Sequence, residues 1–172
     1  RIVNKYFNKV VDLGFLHALV QSSQVEFHEA YSWPDIEQGA QEIRDHYKSI
    51  KDEYEIDTDK IIMGGFSAGS DVILKTIEKE YIKPNGIILM APWLPNIETR
   101  DEFFNKLKNN NIKVYLLCGK KDKDCLPGTK KLVEKLKSNA VDYKLELIKN
   151  LDHDYPKDFN QYLEETIEYI ME

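Results

Sequence analysis

The sequence predicts an α/β fold: a three-layer sandwich in which helices cover both faces of a mostly parallel sheet of about five strands. Three observations carry this expectation. Short apolar runs at Phe15–Val20, Ile61–Met63, Ile87–Met90 and Val114–Leu117 lack in-out alternation, as strands buried on both faces do. Tyr143–Ile148 alternates and reads as a strand near a sheet edge. Segments with helical apolar spacing separate these runs, and turn residues punctuate the joints.

In chain order, Val3, Phe7, Val10 and Val11 mark a first helix over residues 2–13, closed by Asp12-Leu13-Gly14. His17 lies within the run that follows and reads as a core residue rather than a ligand. Residues 21–32 read as a polar loop containing His28. Trp33-Pro34-Asp35 opens a helix whose face is Ile36, Ala40, Ile43, Tyr47 and Ile50, with His46 on its surface. Val72, Ile73, Leu74 and Ile77 give the next helix, and Lys83-Pro84-Asn85-Gly86 a turn. Ala91-Pro92-Trp93-Leu94-Pro95 ends the strand before it, since proline removes ladder donors. Phe103, Phe104 and Leu107 mark a short helix, broken at 109–111. Leu132, Val133 and Leu136 mark another, and Phe159, Leu163, Ile167 and Ile170 a terminal one. No internal repeat or linker stands out, so residues 1–172 read as a single domain.

Bulk composition narrows the function classes. The 172 residues are 42% hydrophobic and 31% charged, as in ordinary globular proteins. A net charge of −6 argues against nucleic acid or an anionic membrane as partner. No apolar run has the length of a membrane span. Of two cysteines, Cys118 ends an apolar run and reads as core, while Cys125 sits in a polar loop. That usage fits a reducing compartment rather than a disulfide framework, and the cytoplasm is the expected location.

The chemistry centres on Lys60–Gly69. Ile61-Ile62-Met63 runs into Gly64-Gly65-Phe66-Ser67-Ala68-Gly69, and a helix leaves it. This is G-x-S-x-G between strand and helix, the context of a nucleophile elbow. The glycines on either side of Ser67 let strand and helix crowd around a strained turn. Function in open α/β sheets collects beyond the carboxyl ends of the strands. Beyond later strands lie Gly119-Lys120-Lys121-Asp122 and Asn150-Leu151-Asp152-His153-Asp154. Serine, acid and histidine thus follow in that order at one edge. Asp124 competes with Asp122 as a loop residue capping the helix after Pro127, and the offset from Gly119 favours Asp122. Asp-His-Asp at 152–154 could be part of a metal site, but no second histidine cluster supports one.

Nearly the whole chain resembles the α/β-hydrolase family. The resemblance rests on the elbow, on Leu116-Leu117-Cys118-Gly119-Lys120-Lys121-Asp122, and on Leu151-Asp152-His153-Asp154-Tyr155-Pro156. Fifty-five residues from Ser67 to Asp122 and 31 from Asp122 to His153 are similar to the spacing of compact, lidless members: small carboxylesterases, lysophospholipases and dienelactone-hydrolase-like proteins. The resemblance implies a serine hydrolase that cleaves small carboxylic esters through an acyl-enzyme. Ser67 is then the nucleophile, His153 the base and later the acid, Asp122 the group that orients it, and the Ala68 backbone N–H an oxyanion donor. Trp93 and Leu94 either edge the substrate cleft or only pack. Ser22-Ser23-Gln24 either faces the same cleft or is a solvated loop. No cofactor and no metal are called for. A peptidase or thioesterase on the same triad, and a non-catalytic binding or assembly module, are the alternatives.

One departure qualifies the resemblance. The family places its second oxyanion donor on a loop before the first long helix, and this chain opens at Arg1 with that helix. The expectation is an N-terminally incomplete version of the fold. A sheet edge would then be left open to pairing with another chain, as in a homo-oligomer.

Overall fold

The computed structural model describes residues 4–27 and 30–172. Its elements are α1 (Asn4–Asp12), β1 (Val25–Phe27), β2 (Ala30–Tyr31), α2 (Ile36–Glu53), β3 (Ile62–Phe66), α3 (Ala68–Glu78), β4 (Gly86–Met90), α4 (Asp101–Asn109), β5 (Lys113–Gly119), α5 (Leu126–Ser138), β6 (Tyr143–Ile148) and α6 (Phe159–Met171). A single 3₁₀ turn, Ile97–Thr99, precedes α4.

Strands β3 to β6 form a parallel sheet in sequence order. The central pair sets the layers. Ile87, Leu89, Val114 and Leu116 point into one core with Leu74, Ile77, Phe103, Phe104, Leu107, Leu132 and Leu136. The intervening Ile88, Met90, Tyr115 and Leu117 point into the other with Val10, Phe159 and Leu163. The two-residue period of a strand thus assigns α3, α4 and α5 to one face and α1 and α6 to the other. Helix α2 packs outside α3, where Ala40 is fully buried and Ile43 and Tyr47 reach the core. Asp35 starts it by accepting the Gln38 N–H at 3.0 Å. Among the described residues, no helix is long and apolar enough to cross a membrane.

The three-layer parallel architecture agrees with the sequence reading, and two segments differ. Residues 15–20 form no strand. Phe15 packs against the α1–α6 core, while Leu16 and Leu19 are 52% and 48% exposed. An apolar run becomes a strand only with a ladder partner, and none of the described residues supplies one. Among the described residues the parallel sheet therefore has four strands, against the expected five or so. The expected polar loop at 21–32 holds a short antiparallel pairing, Val25 opposite Tyr31. His28 and Val3 lie outside the described residues. His17 is half-buried and stacked on Phe7 at 5.3 Å, with burial holding its imidazole below the ordinary value. His46 is on the exposed face of α2.

The ends of β5 and β6 are fastened together. Lys120 N–H donates to Ile148 O and Lys121 N–H to Leu151 O, each at 2.9 Å. Gly119 makes this approach feasible, because a Cβ there would lie 2.3 Å from the Leu151 carbonyl oxygen. A backbone contact of that kind cannot relax by a rotamer change. Gly119→Ala is expected to lower stability by about 1–3 kcal/mol, read as a lower urea midpoint at unchanged slope. A midpoint equal to that of the parent would show that the loop yields freely.

Candidate active site

Ser67 stands between β3 and α3 with φ 52° and ψ −123°, a conformation that L-residues occupy only under constraint. Three backbone hydrogen bonds supply the constraint. Ser67 N–H donates to Met90 O at 3.0 Å, and Ser67 O accepts from Ser70 N–H at 3.0 Å and Trp93 N–H at 3.1 Å. Gly65 lets the helix close on the strand: a Cβ there would sit 2.9 Å from the Gly69 backbone and 2.8 Å from Ile73 Cδ1. The Ser70 hydroxyl donates to Gly65 O at 3.1 Å and locks the same turn. Ala68 is the first residue of α3, so its N–H belongs to the group that has no acceptor within the helix.

Asp122 follows β5 and is 1% exposed. Its Oδ1 accepts the Cys125 N–H at 2.9 Å, and its Oδ2 lies 2.8 Å from His153 Nδ1. Burial pushes its carboxyl upward, but the Cys125 N–H, the His153 hydrogen bond and the histidine charge outweigh that and hold it below the usual carboxylate value. Asp124, the competing acid, is exposed. It is therefore Asp122 that meets the histidine.

His153 arrives on the loop after β6, with its side chain 41% exposed. Its Nδ1 faces Asp122, which leaves Nε2 as the nitrogen able to meet an incoming proton. The ring lies 4.9 Å from that of Phe66, the residue before Ser67. Phe66 in turn stacks on Tyr155 at 4.7 Å. This aromatic seat brings the histidine to the serine's side of the sheet. Among the described residues, the Ser67 hydroxyl makes no hydrogen bond to His153.

The remaining expected residues divide. Trp93 is 46% exposed beside the elbow, whereas Leu94 is 5% exposed within the larger core and offers its side chain to packing. Ser22, Ser23 and Gln24 serve α2. The Ser23 hydroxyl donates to Glu42 at 2.6 Å, the Gln24 side chain bridges both backbone groups of Asp35, and the Ser22 oxygen accepts the Gln24 N–H. Cys125, expected in a polar loop, is 2% exposed, and its sulfur lies 3.6 Å from His153 Nδ1. Burial and the neighbouring Asp122 push its thiol up to about 12, so it stays protonated at neutral pH. The Asp122-to-Cys125 spacing is the side-chain-to-backbone turn common before helices, the one signal in the sequence that could have placed Cys125 inside. Asp152 and Asp154 each accept the following backbone N–H, at 2.9 and 2.7 Å.

Arg100 was not marked by the sequence. It is 8% exposed, pairs with Asp71, and donates to Glu78 at 3.2 Å. It ties the end of the segment carrying Trp93 to α3. Burial is the main reason the Asp71 carboxyl is raised, with Glu78 adding to it and Arg100 opposing. Two surface hollows of about 260 and 300 Å³ lie elsewhere, lined by such residues as Lys131 and Ser138 or Ile112 and Val141. Neither includes Ser67, Asp122 or His153.

Comparison with known proteins identifies the family and the fold. Residues 17–171 match the family described as Phospholipase/Carboxylesterase. A crystal structure of an uncharacterised Bacillus cereus protein is 40% identical with a TM-score of 0.94, covering 99% of this chain and 56% of its own. The chain thus spans little more than half of that relative. A Bacillus cereus carboxylesterase superposes with a TM-score of 0.64 at 14% identity, over 87% of this chain and 73% of its own. SOBER1 of Arabidopsis thaliana gives 0.64 at 13% identity, over 80% and 65%. These last two show the shared fold. No curated protein matches the sequence.

The lowered Asp122 carboxyl has a definite sign in stability. Its contribution is complete above the ordinary value of 3.8 and is lost as pH falls through the lower folded value. Urea midpoints of the parent should therefore exceed those of Asp122→Asn at neutral pH, and the gap should close under strong acid. A gap that stays constant on acidification would show that the charge contributes nothing.

Proposed function

Because the chain belongs to the phospholipase/carboxylesterase family of α/β hydrolases, we propose that it serves a serine hydrolase of small carboxylic esters, working through an acyl-enzyme on Ser67. The observation that carries the reading is the buried Asp122 carboxylate 2.8 Å from His153 Nδ1, with that ring against Phe66 beside the strained serine.

The chemistry follows from the positions. Asp122 fixes the imidazole with its proton on Nδ1 and stabilises the imidazolium. His153 Nε2 takes the Ser67 proton as the hydroxyl attacks the ester carbonyl, then returns it to the leaving alcohol. The N–H groups at the start of α3, that of Ala68 foremost, face the charge that develops on the carbonyl oxygen. Water then repeats the sequence on the acyl-enzyme. Trp93, exposed and tied through its N–H to the Ser67 carbonyl, is the wall against which an acyl or alcohol group rests.

A fluorophosphonate probe tests this directly. It is expected to add its mass at Ser67, and Ser67→Ala should abolish the adduct. Asp122→Asn should lower ester turnover by about 10⁴-fold. A folded protein showing neither labelling nor ester turnover overturns the reading. Parallel assays on thioesters and aminoacyl amides decide between an esterase and the other acyl-transfer activities that one triad supports.

A further inference from the structure

We propose that Asp122, Cys125 and His153 form a binding site for a thiophilic divalent cation of the zinc class, and that filling it switches the hydrolase off. The site rests on geometry alone; the switch rests on the triad reading above.

The three side chains bring one sulfur, one nitrogen and one carboxylate oxygen within 4.8 Å of one another. Tetrahedral zinc, with bonds near 2.0 Å to nitrogen and oxygen and 2.3 Å to sulfur, requires its ligand atoms to stand roughly 3.3–3.6 Å apart. The Cys125 Sγ to His153 Nδ1 distance is already 3.6 Å. The Nδ1 to Asp122 Oδ2 distance is 2.8 Å, so it need open by only about half an ångström to reach the same range. The histidine can make that adjustment, because its side chain is 41% exposed on a loop while Asp122 is 1% exposed. Asp122 need not release its turn: Oδ1 keeps the Cys125 N–H while Oδ2 takes the cation. A water molecule would complete the tetrahedron as the fourth ligand. Sulfur and imidazole select zinc-like ions over magnesium or calcium, which prefer oxygen.

Charge and protons balance. The thiol proton leaves to solvent as the Cys125–metal bond forms, so one aspartate and one thiolate neutralise the divalent ion in a buried place. The imidazole stays neutral but moves its proton from Nδ1 to Nε2, since the metal takes the Nδ1 lone pair. Nε2 then carries a proton and cannot accept the one on Ser67. The ion also occupies Oδ2, so the carboxylate no longer orients the ring. One binding event removes both functions of the dyad.

Cobalt(II), titrated into the purified metal-free protein, is the spectroscopic probe. A thiolate-to-cobalt charge-transfer absorption should appear, be displaced by zinc, vanish in Cys125→Ala, and persist in Cys118→Ala. His153→Ala, which alters an exposed side chain, should weaken cobalt binding by at least about tenfold. No charge-transfer band in the parent, or a band that survives in Cys125→Ala, overturns the site. Saturating zinc should slow fluorophosphonate labelling of Ser67 by about tenfold or more, and a chelator should restore it. An unchanged labelling rate at saturating zinc overturns the switch. A protein that never labels in metal-free buffer refutes the hydrolase reading, while the cobalt band still decides the site.

Discussion

The arrangement depends on how closely α3 can approach β3 behind Ser67. Strand and helix meet with Gly65 against the backbone of Gly69, where even a methyl group would collide. That contact forces the residue between them into a conformation with φ 52°. The strain is sustained by neighbours on two other segments, Met90 at the end of β4 and Trp93 in the loop beyond. The elbow is therefore a tertiary feature. Ser67 is held in place by the carbonyl of Met90 at the end of β4, and the loop with Trp93 follows the same path because it is bonded to the same residue.

The acid and histidine are organised by a second close approach, at the bare backbone of Gly119. The strand order places Ser67 after β3, Asp122 after β5 and His153 after β6. The histidine starts three strands from the serine and must return across the sheet end. The Lys120 and Lys121 N–H groups hold the base of its loop. Phe66 and Tyr155 then draw the ring back toward β3. Polar and aromatic contacts thus divide the task of bringing one side chain over a distance of several strands.

Much of this was legible in the residues. The runs at Ile87–Met90 and Val114–Leu117 are buried on both faces, and such runs announce parallel strands without tertiary information. The elbow could be read because its glycines and serine have a fixed local spacing. Residues 15–20 misled because their apolar character was real while the ladder partner was missing, and pairing is a property of two segments. Cys125 misled for the opposite reason: its sequence neighbours are polar, yet the return of the histidine loop buries it. Arg100 gave no sign at all. A charged residue between two helices reads as surface until Asp71 and Glu78, some twenty to thirty positions away, are seen to enclose it.

The order of the strands has a consequence for how chemical competence is acquired. Part of the bonding that shapes the elbow lies within a few residues of Ser67, and the rest, from Met90 and Trp93, needs only β4 and the loop after it beside β3. The Asp122–His153 pair spans 31 residues and exists only once β6 has docked on β5. Short-range structure forms readily, whereas long-range pairing waits for the loop entropy to be offset. On the mechanism proposed above, a chain caught midway in folding would carry a shaped serine with no base to activate it, and reactivity at Ser67 would be withheld until the last strand is in place.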